Sequence, residues 1–117
     1  PYLYRGISKS YLEDNIGAIK DFTKAIKLDS KNTMAYSNRG VLKANLNNFT
    51  GAIKDFNKAI ELDPKFAEAY YNRGISKESL KKYKEALEDY SIAGELGITE
   101  AYESFCQMLC MDKNSAS

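Results

Sequence analysis

The sequence repeats itself at an interval of 34 residues. Gly6, Gly40 and Gly74 stand at this interval, as do Tyr2, Tyr36 and Tyr70. So do Ala18, Ala52 and Ala86, then Phe22, Phe56 and Tyr90, then Ala25, Ala59 and Ala93. Residues 17–29 (GAIKDFTKAIKLD) and 51–63 (GAIKDFNKAIELD) differ at two positions. Many independent positions agreeing on one interval point to a stack of equivalent units, each covering its apolar face with the next.

Each unit reads as two helices. In the second copy the pattern predicts a helix over 33–45, a turn at Asn47 and Asn48, and a second helix over 50–61. The apolar set Ala52, Ile53, Phe56, Ala59 and Ile60 has helical rather than strand spacing. Pro64 closes it, because the residue before a proline is biased away from helix. The same reading predicts helices over 67–79, 84–96 and 17–28, with the first helix of the first copy cut short by the N-terminus. Repeat boundaries fall at about 1–32, 33–66 and 67–98 of a single domain spanning 1–117.

A short motif recurs with the period: RGISK at 5–9 and 73–77, RGVLK at 39–43. A glycine inside a helix costs about 1 kcal/mol relative to alanine, so its recurrence needs a compensating reason. A phosphate-cradling loop would place several glycines at a strand-to-helix turn, whereas these lie within a helix. The expectation is close packing of two antiparallel helices, with Gly6, Gly40 and Gly74 facing Ala18, Ala52 and Ala86. The arginines have a companion, since Asp21, Asp55 and Asp89 follow Arg5, Arg39 and Arg73 by 16 residues each. This predicts charge-assisted pairing between helices. The spacing leaves open whether Asp55 meets Arg39 of its own copy or Arg73 of the next.

Together these residues resemble the tetratricopeptide repeat over about residues 1–98. Tyr36, Gly40, Ala52, Phe56 and Pro64 occupy that family's aromatic, Gly, Ala, Phe and Pro positions. Two departures are systematic: Arg stands where the family has Leu before the Gly, and Lys (Lys9, Lys43, Lys77) where it has Tyr three residues after. The resemblance implies an all-α fold, a right-handed α-α superhelix. Its first helices would line a concave groove and its second helices the outer face. It also implies a protein-interaction scaffold that takes an extended or helical peptide. The groove positions implied are Leu3, Tyr4, Ile7 and Tyr11 in the first copy. In the second they are Met34, Ser37, Asn38, Val41 and Asn45, with Ala44, and in the third Glu68, Tyr71, Asn72, Ile75 and Glu78, with Ser79. Amides such as Asn38 and Asn72 can donate to and accept from a peptide backbone, and the apolar row Ile7, Val41, Ile75 lies beside them. Family members that bind acidic chaperone tails use a carboxylate clamp of Lys and Asn, then Asn, then Lys and Arg. The matching positions here are Leu3 and Ile7, Asn38, then Glu68 and Asn72. Only Asn38 agrees, so binding of the clamp type is not expected.

Composition narrows the function further. There are 17 basic and 16 acidic side chains and no histidine. A net charge of +1 offers no bulk attraction to nucleic acid or an anionic membrane, and no apolar run reaches membrane-spanning length. Without histidine, a Cys-His or Ser-His nucleophile and a two-cysteine zinc site are ruled out. No enzymatic activity, cofactor or metal is expected. Cys106 and Cys110 read as reduced thiols acting as small hydrophobes, which suits a cytoplasmic setting. The chain opens at Pro1 without a methionine and carries no leader pattern, and it reads as a piece of a longer protein. Residues 99–112 break the period. Thr99 is the expected N-cap of a helix that packs Ala101, Phe105, Met108 and Leu109 onto the last repeat, with a fraying tail at 113–117. That helix could meet another copy of the chain. A self-associating array, or a regulatory segment of a larger protein, is therefore the competing reading.

Overall fold

The computed structural model of the protein describes residues 15–116, with their side chains as far as residue 110. Among these residues the elements are six helices and no strand: α1 (Asn15–Leu28), α2 (Thr33–Asn45), α3 (Phe49–Leu62), α4 (Ala67–Ser79), α5 (Tyr83–Glu95) and α6 (Thr99–Ala116). Each helix packs on the next in the chain, and α2 also touches α4. This is the layout of an all-α solenoid. Copy one's first helix lies outside the described residues, and with it Leu3, Tyr4, Ile7 and Tyr11.

The second helices bury the same four positions: Ala18, Asp21, Phe22 and Ala25 in α1; Ala52, Asp55, Phe56 and Ala59 in α3; Ala86, Asp89, Tyr90 and Ala93 in α5. That spacing is one helical stripe. Small alanines let the neighbouring backbones approach, and the single ring of each stripe fills the remaining volume. The turns are built locally. The Asn32 and Asn48 side chains accept from the Ala35 and Gly51 amides, capping α2 and α3. Asn47 and Lys81, equivalent in the repeat, both adopt positive φ (64° and 63°).

The recurrent glycine faces the ring, not the alanine. A Cβ on Gly40 would lie 2.7 Å from Phe56 Cε1, and one on Gly74 would lie 2.9 Å from Tyr90 Cε1. The bare backbone is thus the seat for a flat aromatic of the partner helix. This replaces the expectation of a Gly–Ala contact.

The arginine and lysine of the motif meet on one carboxylate. Arg39 donates Nε and Nη2 to the two oxygens of Asp55, at 2.9 and 2.7 Å, and Lys43 Nζ stands 3.2 Å from the same group. Arg73 and Lys77 hold Asp89 with the same three distances. The pairing is therefore within each helix pair. The third guanidinium nitrogen reaches back to the preceding second helix, Arg39 Nη1 to Thr23 Oγ1 (3.2 Å) and Arg73 Nη1 to Asn57 Oδ1 (2.9 Å). Each guanidinium also lies over a tyrosine ring, Tyr36 at 5.6 Å and Tyr70 at 5.4 Å. The charge-assisted bond to Asp55 raises the Arg39 pKa further, so this cation is fixed. The two systematic departures from the family pattern are thus parts of one bonding unit.

Helix α6 begins at Thr99 itself and runs on to Ala116, longer than the sequence suggests. It does for α5 what α2 does for α1. Ala18, Phe22 and Ala25 cluster with Ala35 and Leu42; Ala86, Tyr90 and Ala93 cluster with Ala101 and Met108. The equivalence was hidden because α6 arrives two residues early: EAY at 68–70 returns at 100–102, an interval of 32 rather than 34. Leu109, Cys106 and Cys110 are exposed rather than packed inward, so the thiols are not core hydrophobes.

Asp55 is 4% exposed, and replacing it leaves two cations facing a neutral group. We expect Asp55→Asn to lower unfolding free energy by about 2–3 kcal/mol. Lys58→Ala, which removes only the exposed 3.6 Å pair to Glu61, should be near neutral. Urea denaturation of both variants checks this; equal losses would contradict the assigned role of the Asp55 cluster.

Candidate functional site

The first helices α2 and α4 lie side by side, and their residues outside the Gly–ring seam are the candidate binding surface. On α2, Met34 and Asn45 are exposed, while Asn38, Val41 and Ala44 are half-buried. Ser37 is buried and offers no surface, a correction to its expected groove position. On α4, Glu68 and Ile75 are exposed, and Tyr71, Asn72 and Glu78 are half-buried. Tyr71 packs against Tyr90 with ring centroids 5.9 Å apart, and the Asn72 carbonyl accepts from Ser76 Oγ at 3.1 Å. Helical spacing is the reason these side chains share a face: 34, 38, 41 and 45 follow one stripe of α2, as 68, 72, 75 and 79 do on α4.

Two polar groups stand out. The Asn38 side-chain amide nitrogen is buried yet finds no acceptor among the described residues. A buried unpaired N–H forfeits about 1–3 kcal/mol, so this amide is a donor waiting for an acceptor. The second is Glu78, whose Oε1 accepts from the Tyr90 hydroxyl at 2.6 Å. Burial first, and then this acceptor, push the Tyr90 phenol well above its ordinary value near 10. Sequence reasoning singled out Glu78 only as a groove position. Its tie to Tyr90 was hidden because an ionisable partner for a core ring is not part of the repeat pattern.

The electrostatics of the surface follow from the fold. The four basic side chains of α2 and α4, Arg39, Lys43, Arg73 and Lys77, are turned to Asp55 and Asp89. The groove positions of these helices keep only carboxylates, at Glu68 and Glu78. Among the described residues no group of His, Cys, Asp or Glu is arranged to hold a metal ion, and no helix is long and apolar enough to cross a membrane.

Comparison with known proteins bears on this arrangement directly. A family model described as TPR repeat matches residues 43–78, and one described as Tetratricopeptide repeat matches 67–91. The TPR domain of Arabidopsis OM64 is 30% identical, covering 94% of this chain and 93% of that one, with a TM-score of 0.91. The chain belongs to the tetratricopeptide repeat family. The TPR2B domain of yeast Sti1, solved as a complex with pHsp70, is 32% identical over 88% of this chain and 86% of its own, with a TM-score of 0.80. The first TPR of Spaghetti (RPAP3), bound to the HSP90 peptide SRMEEVD, is 27% identical over 99% and 91%, with a TM-score of 0.90. No curated protein sequence gives a significant match. Tetratricopeptide repeats are as a class protein-interaction modules, and the solved relatives include peptide complexes.

Because the Tyr90 pKa is raised in the folded chain, its contribution to stability is complete below pH 10 and fades above it, where the unfolded chain gains by ionising. Tyr90→Phe removes both the hydrogen bond and this linkage. The advantage of the natural protein over Tyr90→Phe should therefore hold from pH 7 to about 9 and shrink as pH rises past 10. Denaturant titrations across that range read it out; a constant difference would show that the phenol ionises freely in the fold.

Proposed function

We propose that the protein is an interaction scaffold that holds an extended or helical peptide segment of a partner in the concave groove formed by α2 and α4. The observation that carries this reading is the Asn38 amide nitrogen, buried without a partner among the described residues, a donor whose need a peptide carbonyl would meet. Asn72, one repeat on, offers a second amide in the same register. The complexes formed by relatives with chaperone peptides support a peptide ligand. The reading assigns the chain no catalysis, and a net charge of +1 supports neither nucleic acid nor an anionic membrane as the partner.

The ligand we propose is not an acidic chaperone tail, although relatives bind such tails. Five positions make the clamp, and here they hold Leu3, Ile7, Asn38, Glu68 and Asn72. None is cationic, and the exposed carboxylate of Glu68 repels a tail of like charge. The peptide SRMEEVD should therefore show no submicromolar binding in calorimetry. Peptides selected from a random displayed library should bind the natural protein and lose at least about tenfold in Asn38→Ala combined with Asn72→Ala. The melting temperature should not fall, since the variant removes a buried unpaired donor. Undiminished peptide binding in the double variant would sink the groove assignment.

A second reading, self-association, rests on α6. Tyr102, Cys106, Leu109 and Cys110 follow one helical stripe and are all exposed. Deleting α6 is a poor test, because α6 covers Tyr90 and Ala93. Leu109→Glu is better, being 38% exposed. If copies pair through this stripe, light scattering should show a concentration-dependent dimer that Leu109→Glu abolishes; a monomer at all concentrations rejects it.

A further inference from the structure

At the end of the groove, where α4, α5 and α6 meet, there is a pocket of about 300 Å³. Its walls differ in kind. Ile75 and Met108 are apolar, Ser79, Ser104 and Gln107 are polar, and Glu78 supplies the only charge in the lining. One Glu78 oxygen is tied to the Tyr90 hydroxyl at 2.6 Å, which fixes the carboxylate's orientation and leaves Oε2 without a bond among the described residues. Among the described residues no lysine or arginine pairs with Glu78. Lys77, adjacent in the chain, is turned to Asp89 at 3.2 Å and Glu85 at 3.9 Å.

We infer that this pocket receives a basic side chain, lysine or arginine, of the bound partner segment. The inference rests on the groove reading and specifies its ligand. A half-buried carboxylate with no internal cation is costly to desolvate unless a cation joins it, so a ligand cation gains where a neutral group would not. The apolar walls suit the methylene stem of such a side chain, and the serine hydroxyls and Gln107 carbonyl can accept its remaining N–H groups. The carboxylate is already oriented, so little ordering is lost on binding. With Glu68 also on the groove and the four cations of α2 and α4 committed to Asp55 and Asp89, the charge of this surface favours a basic segment throughout.

The test is a titration of the folded protein with N-acetyl-arginine methylamide and with its lysine and norleucine counterparts, followed by amide chemical shifts. The two basic probes should shift residues around 75–79 and 104–108, and norleucine should not. Glu78→Gln keeps an oxygen to accept from Tyr90, and it should weaken the basic probes about tenfold at unchanged melting temperature. Ser104→Lys, which places a cation in the pocket lining, should weaken them as well. Arginine shifts that are absent, that norleucine reproduces, or that survive both variants overturn the inference. The combined Asn38→Ala, Asn72→Ala variant keeps the two readings apart. It should lose library peptides and retain the arginine shifts. Library peptides that bind while the arginine probe does not would overturn the basic pocket and leave the groove standing.

Discussion

The α2–α3 and α4–α5 pairs are each organised around one buried carboxylate. Asp55 lies in a seam otherwise made of alanines and a ring, and a lone carboxylate there would be strongly unfavourable. It is tolerated because three donors from the facing helix converge on it, two from Arg39 and one from Lys43. Alanine seams are smooth and tolerate sliding, whereas a bidentate guanidinium bond is directional and holds in one register. The same guanidinium, laid on Tyr36 and bonded to Thr23, joins the preceding helix to the pair. One carboxylate per period therefore sets both the offset within a pair and its attachment to the previous one. Asp89 repeats the arrangement with Arg73, Lys77, Tyr70 and Asn57.

That internal bonding has a consequence on the outside. The chain as a whole is nearly balanced, yet the balance is not shared by its surfaces. The cations of α2 and α4 are consumed by the seam, and the stripe that remains on their open side is amide, apolar and acidic. Among the described residues, α2 and α4 are thereby left with no basic side chain free of the seam. The same substitutions that replaced the family's Leu and Tyr by Arg and Lys thus belong to the frame.

Much of the frame was legible in the sequence because it is periodic. The Arg-to-Asp interval of 16 residues marked a contact before its geometry was visible, and the helix bounds follow from the apolar stripes. The glycine's partner was not legible on the same grounds. In an antiparallel pair, as one residue number rises its partner's falls, so contacts do not share a single interval. Gly40 could be set against Ala52 or Phe56 on spacing alone, and volume decides for the ring, which needs a seat without a Cβ. The role of α6 was obscured by a two-residue shift, although EAY at 100–102 carried the signal. The Glu78–Tyr90 bond had no periodic signal: one repeat earlier the two positions are Ala44 and Phe56, which offer neither a carboxylate nor a hydroxyl.

The two-residue shift also bears on what can follow α6. Counting by EAY, Cys106 stands where α4 has Gly74 and Phe105 where it has Arg73. Both features that bind a second helix to a first are thus missing. A ring cannot settle against a position that carries a side chain, since at Gly74 a single Cβ would already come within 2.9 Å of it. A buried Asp at the usual place would find Phe105 instead of a guanidinium, with Leu109 where the lysine stood. A further helix could not dock on α6 by the rules that hold α3 and α5. The exposed stripe of Tyr102, Cys106 and Leu109 carries no counterpart of the arginine and lysine that set register elsewhere.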